Sequence, residues 1–270
     1  LEPYSHLPLD HITIVLHQPR FAENIGSTAR AALNLGLRHI TVVNPEDTDR
    51  ERMSKLATHA AAGLLEAMEI KPTLAEALAP FHYIVGTTAR LGGERKQIIT
   101  PARAGQNIRT LGPDTRVALL FGPENRGLSN DELRYCHTVV NIPTDQASSL
   151  NLAQAVLIMA YEIFLAHRVP EAGPAVQVPP RRSATDQALK AQRSLEEPPL
   201  ATSFELEGMY RHLSEVLQLM DFLDKQNPEH WMMSIRRFFS RIQLYSPEVR
   251  MIRGVCRQLK WFVKNHARTA

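Results

Sequence analysis

Through the first 168 residues, short β-branched and apolar runs alternate with longer stretches whose apolar positions recur every three or four residues. The runs at 11–17 (HITIVLH), 39–44 (HITVVN), 82–88 (HYIVGTT), 116–122 (RVALLFG) and 138–143 (TVVNIP) predict buried strands. Between them the spacing predicts helices over Asn24–Leu35, stopped by Gly36, and over the alanine-rich stretch 53–68. Thr73 with Glu76, and Ser129 with Glu132, form capping-box patterns. Thr100-Pro101 opens a further helical stretch, and a long helix is predicted from Ser149 to His167. Continuous apolar strands alternating with helices point to an α/β domain, a Rossmann-like parallel sheet covered on both faces.

The pattern then breaks. Residues 169–202 carry Pro170, Pro174, Pro179, Pro180, Pro198 and Pro199 with no apolar period, which predicts an extended linker. Three helical segments follow, at 203–222, 228–242 and 247–265. The second and third open on a polar cap and a proline, Asn227-Pro228 and Ser246-Pro247. The predicted organisation is therefore a domain over 1–168, a proline-rich linker over 169–202 and a small helical extension over 203–270.

Composition narrows the function classes. The 270 residues are 44% hydrophobic and 22% charged, ordinary for a globular protein with a sizeable core. No apolar run reaches the roughly 18–20 residues that a membrane span needs, and no secretory leader pattern opens the chain. Cys136 and Cys256 lie in unrelated contexts without CxxC or HExxH spacing, so reduced cytosolic thiols and no metal are expected. The net charge of +3 is unevenly spread. From His230 onward nine Lys and Arg face one acid, Glu248, while the rest of the chain is mildly acidic. A basic module on an acidic body suggests a polyanionic partner.

Ligands of an open parallel sheet sit beyond the carboxyl ends of its strands. Three segments qualify: VGTTAR (85–90), FGPENRG (121–127) and NIPTDQASSLN (141–151). The second has the strand–glycine–helix layout of a phosphate loop, but Leu128 stands where such a loop needs lysine, and GxGxxG is absent. Gly122 and Gly127 fit a helix cap and tight turn as well as a ligand site. The composition favours a cofactor with no phosphate, its adenine held by backbone groups and apolar side chains such as Leu120, Ile142 and Leu150. In ENIGSTARAALNLG (23–36), Asn24 reads as an N-cap, while Arg30 near a helix start runs against the helix dipole and hints at a site role. In SSLNLAQAV (148–156), Ser148 or Ser149 fits a helix cap, with Asn151 in the first turn. In the last helix Val249, Ile252, Cys256, Leu259 and Val263 form an apolar face. Arg250, Arg253, Arg257, Lys260 and Lys264 repeat beside it, which favours nucleic-acid contact. Trp231, Phe238, Phe239, Trp261 and Phe262 read as core or interface residues.

Taken together, ENIGSTARAALNLG, LLFGPENRGLSNDEL and NIPTDQASSLNLAQAV resemble the three signature motifs of the SPOUT-superfamily RNA ribose 2′-O-methyltransferases, TrmH-like branch, over residues 10–168. The helices after a proline-rich linker resemble the TrmJ type, which methylates nucleotide 32 of the tRNA anticodon loop. The resemblance implies S-adenosylmethionine as cofactor, a deep C-terminal trefoil knot in the sheet domain, and a homodimer whose active site is completed across the interface. Thr87, Thr88, Ala89, Gly122, Gly127, Ile142, Ser149 and Leu150 would hold the cofactor. Asn24, Arg30, Glu124, Ser149 and Asn151 would form the reacting site, with Glu124 orienting Arg30. Arg30, Arg236, Arg237, Arg250, Arg253, Arg257, Lys260 and Lys264 would meet tRNA, in the cytoplasm. Another tRNA or rRNA position, or an inactive RNA-binding relative, are the alternative readings.

Overall fold

The computed structural model describes residues 7–89, 98–145, 149–168, 198–223, 228–240 and 242–266. Seven parallel strands form one sheet: β1 Ile12–His17, β2 His39–Val43, β3 Glu69–Lys71, β4 Tyr83–Thr87, β5 Ile98–Ile99, β6 Val117–Phe121 and β7 Thr138–Val140, in the order β3-β2-β1-β6-β4-β7-β5. The two late strands fill gaps between earlier ones. β6 lies between β1 and β4, with Leu119 beside both Ile14 and Val85, and β7 lies between β4 and β5. β3 and β5 have no counterpart among the expected strands. Both are too short, at three and two residues, to show a period.

Alternate residues of the central strands feed two cores, so these strands are apolar throughout. On one face Ile14, Leu16, Leu119 and Phe121 pack with α1 (Ala22–Asn34), α2 (Arg50–Leu56), α3 (Ala62–Glu66), α5 (Pro101–Arg109) and α7 (Leu152–Arg168). On the other, Val15, Ala118 and Leu120 pack with α4 (Leu74–Leu78) and α6 (Asn130–Leu133). The single helix expected over 53–68 is broken: Ala57 is extended, a 3₁₀ turn covers His59–Ala61, and the helix restarts at Ala62. Its true start lies earlier, where Asp49 caps the N–H groups of Glu51 and Arg52. The Ser129–Glu132 capping box forms as expected.

Three further helices, α8 (Ser203–Leu219), α9 (Pro228–Ser240) and α10 (Ser246–His266), enclose a small core around Met209, Tyr210 and Val249. Their entry and exit are tied together, since Ala201 N donates to Leu244 O and Ser246 N to Pro199 O. Ser246 is the first residue of α10 rather than its cap, and its hydroxyl donates to Glu205. The bundle docks on the sheet domain through backbone bonds from Ser203 N to Phe81 O and Phe204 N to Ala79 O. Residues 169–197 of the expected linker, and Asn227, fall outside the described residues. Both cysteines are buried. Among the described residues no helix is long and apolar enough to cross a membrane.

Candidate active site

Because every strand pair is parallel, the carboxyl ends of β1, β4, β6 and β7 open on one edge of the sheet. The turn after β6 doubles back tightly. A Cβ on Gly122 would fall on the Gly127 carbonyl carbon, and Gly127 itself has a φ of 67°. Both positions therefore need glycine. The loop is clamped from outside. Arg126 donates to both carboxylate oxygens of Glu132 (2.9 and 2.8 Å) and to Gln18 Oε1 (3.0 Å), while His17 Nε2 lies 2.9 Å from Glu132 Oε1. Burial alone pushes the Glu132 carboxyl up. The bonds from Arg126 and the Ser129 N–H outweigh it and hold the group at about 2. Burial pushes His17 down against the opposing pull of Glu132. The imidazole is thus neutral at pH 7, and its Nε2–H donates a hydrogen bond rather than completing an ion pair.

Above this loop lies a cleft of about 270 Å³ lined by Thr87 at the end of β4 with Thr88 and Ala89 beyond it, by residues 121–128, and by Ile142, Ser149 and Leu150 after β7. All eight positions expected to hold a cofactor meet there. Leu120 does not: it is fully buried in the core beneath, offering only its carbonyl to the Thr87 hydroxyl at 3.3 Å, and Phe121 takes its place on the wall. A purine nucleoside without phosphate fits this lining. It has two hydroxyl-bearing threonines, apolar flanks and a glycine floor, and the one guanidinium among its described residues, Arg126, already bonds Glu132.

A second, open depression joins the cleft at Glu124, Ser149 and Leu150 and adds Asn24 and Asn151. Here a chain of amides fixes four elements. Asn24 Nδ2 donates to Glu124 Oε1 (2.6 Å), Asn151 Nδ2 donates to Asn24 Oδ1 (2.9 Å), and Asn151 Oδ1 accepts from Ala153 N (2.9 Å) at the start of α7. Glu124 Oε2 takes the Arg20 N–H at 3.0 Å. Asn151, not Ser149, therefore caps α7, which begins three residues later than expected; Ser148 falls outside the described residues. Asn24 is not a cap either. The helix starts at Ala22, with Phe21 in the cap position.

That earlier start moves Arg30 into the third turn of α1, so the expected conflict with the helix dipole disappears. Arg30 is exposed and lines neither depression. Glu124 does not orient it, because its carboxylate is engaged by Asn24 and Arg20. The cation beside the site is instead Arg52, which bonds both oxygens of Glu23 (2.8 and 3.0 Å) and Asp47 (2.6 Å). Arg20, Phe21 and Arg52 escaped the sequence reading. Their place in the site depends on a turn meeting Glu124, 104 residues away, and no local pattern announces that.

The model of the SpoU rRNA Methylase family matches residues 11–161, and that of the tRNA methyltransferase TrmJ C-terminal domain matches 204–269. The chain belongs to the SpoU methylase family, TrmJ branch. It is 33% identical over 249 residues to a tRNA (cytidine/uridine/adenosine-2′-O-)-methyltransferase TrmJ of Pseudomonas aeruginosa, covering 92% of this chain and 93% of that one. It is 35% identical to a tRNA (cytidine/uridine-2′-O-)-methyltransferase TrmJ of Klebsiella pneumoniae, covering 92% and 95%. The crystal structure of TrmJ from Z. mobilis superposes with a TM-score of 0.73 at 30% identity, covering 92% and 98%.

The TrmJ-type C-terminal bundle departs from the expected uniform basic stripe. Val249 and Cys256 are buried and Ile252, Leu259 and Val263 half-buried, as the spacing predicts. Of the cations, Arg250, Arg257 and Lys264 are exposed on α10. Lys260 pairs with Glu215, and Arg236 pairs with both oxygens of Glu207 (2.5 and 2.8 Å) while lying 4.3 Å from the Tyr210 ring centroid. Arg237 and Arg253 are half-buried, the latter against Gly208. Acids on α8 thus neutralise part of the predicted charge. Trp231, Phe238, Trp261 and Phe262 are all at least 45% exposed, and only Phe239 packs against the bundle core.

Proposed function

We propose that this protein transfers a methyl group from S-adenosylmethionine to a ribose 2′-hydroxyl of tRNA in the cytoplasm, at nucleotide 32 of the anticodon loop. The observation that carries the reading is the junction of the two depressions at Glu124, Ser149 and Leu150, with a phosphate-free nucleoside cleft on one side and an amide-lined hollow on the other. Full-length relatives named as tRNA 2′-O-methyltransferases support it. When bound, the cofactor supplies an electrophilic methyl group to an attacking oxygen. The protein must align that oxygen at about 3–3.5 Å.

Asn24 and Asn151 are suited to this because each amide is fixed by bonds at both ends and keeps a second N–H for a ribose oxygen. Glu124 receives only amide donors among the described residues and retains lone pairs for the 2′-hydroxyl. Ser149 stands at the junction as a further polar contact. Arg30 as a general base would have to give up the proton of a guanidinium, the most basic of the side chains. Its exposure supports another role: reaching across a homodimer to hold the substrate phosphate in the partner's site. The apolar stripe Leu157, Tyr161 and Leu165 along α7, 39–49% exposed, supplies the surface for such a dimer. Insertion of β6 and β7 between earlier strands is the topology on which we expect the trefoil knot. Arg250, Arg257 and Lys264 would add phosphate contacts.

The test is transfer of labelled methyl to bulk tRNA, with the modified ribose mapped. We expect label at one anticodon-loop ribose. Absence of label from tRNA overturns the reading.

A further inference from the structure

Phe21 sits where a helix prefers something else. It occupies the N-cap position of α1 with extended backbone (φ −121°, ψ 124°) and makes no side-chain cap. Ser, Thr, Asp and Asn are favoured there because their oxygens bond the first N–H groups. The ring is also 46% exposed. A position that forgoes a cap and leaves an aromatic ring in water breaks two local rules, and such breaks concentrate at functional sites.

The ring is not placed by chance. The preceding N–H, of Arg20, is bonded to Glu124 at 3.0 Å, and the Phe21 carbonyl accepts the Asn24 N–H at 3.0 Å. The backbone on both sides of Phe21 is therefore anchored to the two residues that organise the amide-lined hollow. Phe21 lines that hollow together with Asn24, Glu124, Ser149 and Asn151. The Arg20 guanidinium, paired on its Nε side with Glu46 at 3.2 Å, lies 5.6 Å from the ring centroid, a second cation near the rim besides Arg52. The floor carries groups suited to a sugar, and the rim carries a π-face with a positive charge beside it. That is the layout of one nucleotide: base against the ring, ribose over the amides, phosphate toward the guanidinium.

We propose that Phe21 is the stacking platform for the base of the nucleotide being methylated, an unpaired base taken out of the RNA stack. The inference rests on the function proposed above. Stacking on an aromatic side chain tolerates any base, since every base has a π-face. The ring then contributes affinity and position for an unpaired nucleotide, not a choice among bases.

The test compares the full-length protein with Phe21→Ala and Phe21→Trp, using tRNA as substrate and S-adenosylhomocysteine as the cofactor probe. Phe21→Ala is expected to raise the KM and Kd for tRNA by about 5- to 150-fold, the span of a single base–aromatic stack. Affinity for S-adenosylhomocysteine should be unchanged, and Phe21→Trp should restore tRNA binding. Unchanged tRNA parameters in Phe21→Ala overturn the inference alone, with the wild-type activity intact. So does dissociation of a wild-type dimer by Phe21→Ala in sedimentation equilibrium, which would make the ring a subunit contact. A wild-type protein that transfers no methyl to tRNA overturns the proposed function, and this inference with it.

Discussion

At the scale of single residues, Asn24 links the candidate site. Its amide spans from the Glu124 carboxylate to Asn151, and through Asn151 to the start of α7. Replacing it with alanine leaves a partly buried carboxylate oxygen and an amide without partners, at a cost of about 1–3 kcal/mol. Displacement of the reacting groups by even an ångström costs about 100-fold in rate. Asn24→Ala should therefore lower the denaturation midpoint and reduce methyl transfer by on the order of 100-fold, while S-adenosylhomocysteine still binds the neighbouring cleft. Equilibrium unfolding, single-turnover kinetics and calorimetry check the three parts. The sequence placed Asn24, Glu124 and Asn151 among the reacting residues through motifs far apart in the chain. It could not show that they bond one another, nor that Glu124 spends its carboxylate on amides and leaves Arg30 unattended. Those facts depend on where three loops meet, and a residue pattern carries no distances between loops.

Among the elements, the legible ones were those with enough residues to show a period and a chemically marked boundary. β1 and β6 are examples, as is α6 with its Ser129–Glu132 box, whereas α7 showed its period but not its true start. The two- and three-residue strands, and the interruption at Ala57 inside an alanine-rich run, are decided by packing against neighbours. α6 gives an element-scale prediction. Glu132 is held at about 2, well below its ordinary 4.5, with burial opposing and Arg126 and Ser129 prevailing. A depressed carboxyl contributes stability that is full above about pH 4.5 and is lost as pH falls toward 2. Glu132→Gln should remove about 1–3 kcal/mol at pH 7 and flatten the acid limb of the stability curve in that window. Chemical denaturation at a series of pH values checks it. An acid limb as steep as the wild type's would mean that other carboxyls set it.

For the whole molecule, the separation of body and basic bundle was visible in composition, but their attachment was not. The bundle is docked on the body by backbone bonds at Phe81 and Ala79, and two of its cations are neutralised by its own acids. The proposed homodimer would use two exposed features of the body, Arg30 and the stripe on α7. If Arg30 serves the opposite site, a mixed dimer of Arg30→Ala and Asn151→Ala subunits contains one intact site and one doubly damaged site. Each variant alone should be nearly inactive, and the mixture should recover up to about half the wild-type activity per mixed dimer. Both sites of the mixed dimer are damaged if Arg30 acts within its own subunit, and then no activity returns. Methyl transfer by the co-purified, differently tagged pair reads the outcome.

The strand order also bears on how the chain is made. β1 pairs with β6, whose first residue is 100 positions beyond the last of β1, and β4 also waits for β6 to join it to the rest of the sheet. At synthesis rates of about 5–20 residues per second, the ribosome needs roughly 5–20 s to deliver the missing partner. Until then the nascent chain presents unpaired edges of two apolar strands, which makes this interval the time when chaperones have most to shield.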